Sequence, residues 1–159
     1  LSLSEQCLVD CVLMCFGCSG GNPYVAISYV FDKMDCKFCL EKDYVYSAVM
    51  EDCKFDQYPK YGFVSGYLSI AQGDEDDLAA KCEKYGPVAV CVDANNWSFQ
   101  VYSSGIYDEK ECYPTALNHA IRCVGFGVED ETKYWIVKNS WGKSWCEEGY
   151  MRMIWENNR

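Results

Sequence analysis

LNHAIRCVGFG, residues 117 to 127, decides how this sequence reads. It holds His119, the one histidine of a chain that also carries 12 cysteines. The β-branched and small apolar residues after His119 form a strand pattern that the histidine opens. A second strand pattern ends in KNSWGKSW, which sets Asn139 twenty residues after His119. An imidazole that works as a base must be held in one tautomer, and a side-chain amide does this by hydrogen bonding one ring nitrogen. Asn139 is a candidate for that task. Trp141 is a candidate to cover the resulting bond and keep water from competing for it. A thiolate nucleophile needs such partners. A lone histidine is nevertheless more often structural, Asn139 can equally cap a turn, and Trp141 can be ordinary core. Spacing alone leaves both readings open.

Bulk composition excludes other classes. At 159 residues the chain makes one domain or two small ones. Half of it is hydrophobic and 16% aromatic, so it folds. The 24 acidic residues outnumber the 14 basic ones, and a net charge of -10 repels phosphate backbones and anionic lipid. No nucleic-acid or membrane partner is therefore expected. No apolar run reaches the length of a membrane span. The opening LSLSEQ is no signal peptide, which says little if the chain begins in mid-sequence.

Two textures follow one another, and the expected division is 1–62 and 63–159. The first is rich in cysteine and reads as short helices. Ser4 is a candidate N-cap for LSEQCLVDC, and Asn22 with Pro23 opens a helix whose apolar face is Val25, Ile27, Val30 and Phe31. From residue 63 onward FVSGYLS, GPVAVCVDA, HAIRCVGFGV, KYWIVKNSW and GYMRMIW read as strands. One helix interrupts them, from the acidic GDEDD to Gly86 and Pro87.

The stretches LSEQCLVDC, GCSGG, YGPVAV, SSGIY, LNHAIRCVGFG and KYWIVKNSWGKSW, in this order, resemble a papain-like cysteine protease of the cathepsin L type, nearest to protozoan enzymes. The resemblance implies an α+β, papain-like two-domain fold: a helical left domain, of which 1–62 is the remainder, and a β-barrel right domain, 63–159. A substrate cleft would lie between the domains. It implies His119 as the catalytic histidine, Asn139 as its orienting partner, and Trp141 with Trp145 as the shield. It also implies an S2 subsite lined by Asn22, Pro23, Cys91 and Ala120, small to medium and apolar. Gly20 and Gly21 would pair with extended substrate, or simply make a turn. No cofactor is implied.

The family nucleophile lies roughly 130 to 150 residues before its histidine, in a C-G-S-C-W-like stretch, so here it is expected about 10 to 30 residues before Leu1. The chain is thus expected to be incomplete at both ends and inactive alone. By the same resemblance Cys11 pairs with Cys53, while Cys18 and Cys112 pair with cysteines outside this chain. Cys146 stands where the family usually has glycine. If that position needs a positive φ, the cysteine costs on the order of 1 kcal/mol.

The expected function is a thiol endopeptidase acting on peptide or protein substrates. The alternative is a non-catalytic protease-fold module in a larger assembly, for example a cytoskeletal one. Eight cysteines are unclaimed by the family pattern: Cys7, Cys15, Cys36, Cys39, Cys82, Cys91, Cys123 and Cys146. Cys91 and Cys123 sit in apolar strand runs where a small hydrophobe would serve. The resemblance implies a lysosomal or secreted location by family habit; the many spare thiols suggest a reducing, cytoplasmic one as the alternative, unless some form extra bridges. Cys15, Cys18, Cys36 and Cys39 also have the C-x2-C spacing of a four-cysteine zinc site, a minor alternative.

Overall fold

The computed structural model describes residues 1–155 and divides into two compact units, Leu1–Ser69 and a second beginning at Ile70. The division thus falls after Ser69, where the sequence texture changes after 62.

The first unit is helical. Helix α1 spans Glu5–Cys11, and the Ser4 side chain caps it by accepting from the Cys7 N–H. This meets one of the four donors that a helix start leaves unpaired. Helix α2 spans Pro23–Lys33, with Asn22 accepting from the Tyr24 N–H and Pro23 in the first turn. Both starts are the expected ones. Of the expected apolar face of α2, Val30 is fully buried. It packs in one core with Cys7, Cys11, Met34, Phe38, Cys39, Tyr44 and Phe55. Cys11 is bonded to Cys53, the expected disulfide, which ties α1 to the loop that follows.

A buried polar lattice holds that loop. Gln6 donates through Nε2 to Asp10 Oδ1 at 2.8 Å and to the Val49 carbonyl at 2.7 Å. Its Oε1 accepts from the Ser47 N–H at 2.9 Å. Asp10 also accepts from the Tyr44 hydroxyl at 2.5 Å and from the Glu51 N–H at 2.8 Å. Burial and the Asp10 carboxylate push the Tyr44 hydroxyl well above its ordinary pKa, so it stays a donor.

Helix α3, Glu75–Tyr85, opens the second unit; Asp74 accepts from the Asp77 N–H, and Gly86 ends the helix. Its acidic first turn lies at the positive end of the helix dipole, as expected. Five strands follow: β1 Val88–Val92, β2 Ile106–Tyr107, β3 His119–Glu129, β4 Thr132–Lys138 and β5 Tyr150–Ile154. They form one sheet in the order β1-β3-β4-β5-β2, antiparallel except for the β2–β5 pair. Trp135 donates its indole N–H to Glu75 at 2.9 Å and so fastens α3 to β4. The core beneath the sheet contains Val92, Phe99, Tyr107, Ile121, Cys123, Val137 and Met151.

Three expectations and one minor alternative need correction. Residues 63–69 form no strand: a strand needs a partner edge, and this stretch has only single backbone bonds, such as Val64 N–H to the Cys36 carbonyl at 2.8 Å. A second helix, α4 Trp97–Gln100, lies between β1 and β2 and was hidden by its four-residue length. Cys91 is exposed, not a buried hydrophobe, because strand alternation turns it away from the core that Val92 enters. The zinc spacing forms no site, since no three potential ligands converge among the described residues. Cys39 is buried in the core while Cys18 is exposed.

Candidate active site

His119 is the first residue of β3, on the row that continues inward through Ile121 and Cys123. β1 fixes the start of that strand: Val92 pairs with His119, and the Asn118 N–H donates to the Val92 carbonyl at 3.1 Å. The Asn118 side chain completes the clamp, accepting from the Ala94 N–H at 2.9 Å and donating to Asp93 at 3.3 Å. Asp93, buried, also accepts from the N–H groups of Asn95 and Tyr113.

Asn139 lies just past the end of β4, where its N–H donates to the Gly149 carbonyl at 3.0 Å. Its side chain meets the imidazole: His119 Nε2 and Asn139 Oδ1 are 2.8 Å apart. The Ser140 N–H donates to the same Oδ1 at 2.8 Å. Only the oxygen of an amide can accept from a backbone N–H, so Ser140 fixes which way the amide points. The neutral imidazole must then carry its proton on Nε2 and donate it. Nδ1 keeps its lone pair and has no hydrogen bond among the described residues. The arrangement is an oriented base.

The indole of Trp141 stacks on the imidazole, with ring centroids 5.1 Å apart and planes at 29°. Trp145 meets Trp141 edge-on at 5.3 Å. Phe99 closes the set from the core side, edge-on to both His119 and Trp141. The His119–Asn139 bond is thereby walled by aromatic surface, in which a hydrogen bond gains strength from the low local dielectric. Asn139 is buried, and its Nδ2 has no hydrogen-bond partner among the described residues.

Cys91 pairs with Ala120 across β1 and β3, and both are exposed. Directly opposed residues share a face and neighbours along a strand alternate, so Cys91 lies on the face opposite to His119 and cannot be its thiol. In the first unit Gly20 and Gly21 lead into α2. Gly20 has a φ of +108°, and a Cβ on Gly21 would meet the Cys15 sulfur at 2.6 Å, so each glycine has a local structural reason to be there. Asn22 and Pro23 open α2. Cys18 and Cys112 are unbonded within the described residues; Cys112 accepts a hydrogen bond from Asn96 Nδ2 at 3.5 Å.

Cys146 does adopt the left-handed conformation, with φ at +52°. Its thiol donates to the Tyr102 carbonyl at 3.0 Å, and burial, aided by Glu147, pushes the thiol pKa up to about 12. It is a structural thiol, not a nucleophile.

Over residues 1–159 the sequence matches the family described as Papain family cysteine protease. The chain belongs to the papain family. The Aedes aegypti cathepsin L-like peptidase is 40% identical over 96% of this chain and 45% of its own length. Digestive cysteine proteinase 1 of Homarus americanus is 40% identical over 99% of the chain and 49% of its own length. The chain spans about half the length of these curated relatives. Among solved structures, procathepsin L2 from the larval midgut of Tenebrio molitor superimposes with a TM-score of 0.89 at 38% identity, covering 99% of this chain and 49% of that one. Bromelain from Ananas comosus, in complex with the E64 inhibitor, gives 0.87 at 35% identity over 98% and 69%. The fold is papain-like and α+β. Papain-family proteases use no cofactor.

The sequence offered His119, Asn139 and the tryptophans as candidates, and the structure brings them together; sequence reading did not single out Asp93, Asn118 as a clamp, or Phe99. DANN at 93–96 is a turn signal that could have suggested the Asp93 caps. Nothing local marks Phe99.

Proposed function

We propose that this chain is the base-bearing part of a cysteine endopeptidase that hydrolyses peptide bonds in peptide or protein substrates. The single observation that carries the proposal is the Asn139 amide, pinned by Ser140 and holding His119 Nε2 at 2.8 Å. Nδ1 then takes the proton of a thiol, giving a thiolate and an imidazolium that stabilise one another. The thiolate attacks the peptide carbonyl, and the imidazolium returns the proton to the departing amine. Asn139 holds the ring through both transfers, and Trp141 and Trp145 shield it. The thiol itself would belong to a segment outside this chain, for no cysteine here bonds Nδ1 among the described residues.

Other assignments rest on the same resemblance. Gly20, Gly21, Asn22 and Pro23 in the first unit, and Cys91 and Ala120 in the second, are proposed as substrate contacts. Exposure of Cys91 and Ala120 supports this. Cys18 and Cys112 are proposed to pair with cysteines outside the chain. Residues 1–62 would be the remainder of the helical left domain and 63–159 the right domain, of which 156–159 lie outside the described residues. A lysosomal or secreted location is proposed; the Cys11–Cys53 disulfide supports an oxidising compartment over a cytoplasmic one. The nearer likeness to protozoan enzymes is proposed on the motifs alone; the relatives above come from arthropods and a plant. Nothing favours the non-catalytic, cytoskeletal alternative, which has no use for an oriented base.

The test compares the parent protein with its His119→Ala variant, using a peptide substrate and a thiol-directed epoxide. We expect label on one cysteine N-terminal to Leu1 in the parent, and at least about a 10³-fold loss of kcat/KM in the variant. Unchanged turnover in the variant, or a folded parent that neither cleaves nor takes label, overturns the reading.

A further inference from the structure

Cys7 and Cys39 are both fully buried in the core of the first unit, in the same cluster as the disulfide-bonded Cys11. Ser4 binds both backbones: its N–H donates to the Cys39 carbonyl at 3.0 Å, and its Oγ accepts from the Cys7 N–H at 3.0 Å. The two thiols are unbonded and close enough to influence one another's ionisation. No third ligating group stands beside them among the described residues, so the pair does not hold a metal. Nor is it a nucleophilic pair. Burial, followed by the neighbouring Cys39, pushes the Cys7 thiol up to about 12, so it stays protonated at neutral pH. Two such thiols have no chemistry to perform in the folded state beyond packing.

We propose that Cys7 and Cys39 are joined as a cystine in the mature protein, a second crosslink in the first unit beside Cys11–Cys53. The sequence pattern of the family claims neither residue. The oxidant is a disulfide compound of the compartment in which Cys11–Cys53 forms. One cysteine attacks it as a thiolate, breaking its S–S bond, forming a mixed disulfide and releasing one thiol. The second cysteine then displaces the other thiol and closes the Cys7–Cys39 bond. The two protons and two electrons of the cysteine pair end on the two released thiols. Since burial suppresses the thiolate, exchange occurs before the core closes, and the finished cystine is sealed against reductant.

The experiment takes the full protein purified without reductant. It is denatured with iodoacetamide present and digested with trypsin and an Asp-directed protease. Cleavage before Asp10 separates Cys7 from Cys11, and cleavage after Lys37 separates Cys39 from Cys36. Mass spectrometry should show the Cys7 and Cys39 peptides joined, two hydrogens lighter than their sum, with neither alkylated. Alkylation of Cys7 and Cys39 as free thiols, or either one found bonded to a different cysteine, overturns the proposal.

Discussion

The two units of this chain solve the same problem with different materials. In the first, helices α1 and α2 are short, and much of the stability-bearing contact is polar or covalent: Gln6, Asp10, Tyr44 and the Cys11–Cys53 bond. In the second, a five-stranded sheet lies over an aromatic core centred on Phe99, and the His119 imidazole is set into the edge of that core. The difference teaches where precision comes from. A loop-rich unit has few ladder bonds to fix its backbone, so buried side chains must hold the loop from Tyr44 to Cys53 directly. A sheet fixes the backbone by register, which leaves side chains free to build a site.

The contrast can be broken most forcefully at its two centres. Phe99→Ala removes a fully buried ring that faces Tyr107, His119, Trp141 and Trp145. It should cost about 3–5 kcal/mol in urea denaturation. Asp10→Ala strips the acceptor from Gln6, Tyr44 and the Glu51 N–H. The expected loss is about 3 kcal/mol, because the buried Tyr44 hydroxyl and one Gln6 N–H lose their acceptor together with the half-buried Glu51 N–H. A loss below about 1 kcal/mol would mean that apolar packing holds the first unit as it does the second. The smallest effect concerns the turn after Asn139. Arg152, hydrogen-bonded to Glu147, holds that carboxyl below its ordinary value. A depressed carboxyl stabilises the fold above its ordinary pKa of 4.5, and the contribution is lost as pH falls below that value. Glu147→Gln should therefore lower Tm by about 1–4 °C at pH 7, with the gap closing toward acid pH.

Legibility followed the same division between local and distant causes. Ser4 and Asn22 with Pro23 were readable as caps because a cap is made within a few residues, whereas the Asp74 cap was readable only as part of an acidic helix start. β1, β3, β4 and β5 were readable because their alternation is local. Residues 63–69 looked like a strand and are not, since no composition reveals whether a partner edge exists. The strand-opening place of His119 and its relation to Asn139 were visible in the sequence. The clamp from Asp93 through Asn118, the ring of Phe99, and the meeting of Cys7 with Cys39 all join residues far apart in sequence, which only the folded chain brings together.

In the proposed mechanism Asn139 holds His119 as the Nε2–H tautomer and leaves Nδ1 free to take a proton. Nitrogen-15 NMR of the imidazole tests it directly, with the His119 signals identified by their loss in His119→Ala. At a pH where the ring is neutral, the account predicts a protonated, pyrrole-type Nε2 and an unprotonated, pyridine-type Nδ1, with the preference lost in Asn139→Ala. A pyrrole-type Nδ1, or a tautomer mixture unchanged by that substitution, would contradict it.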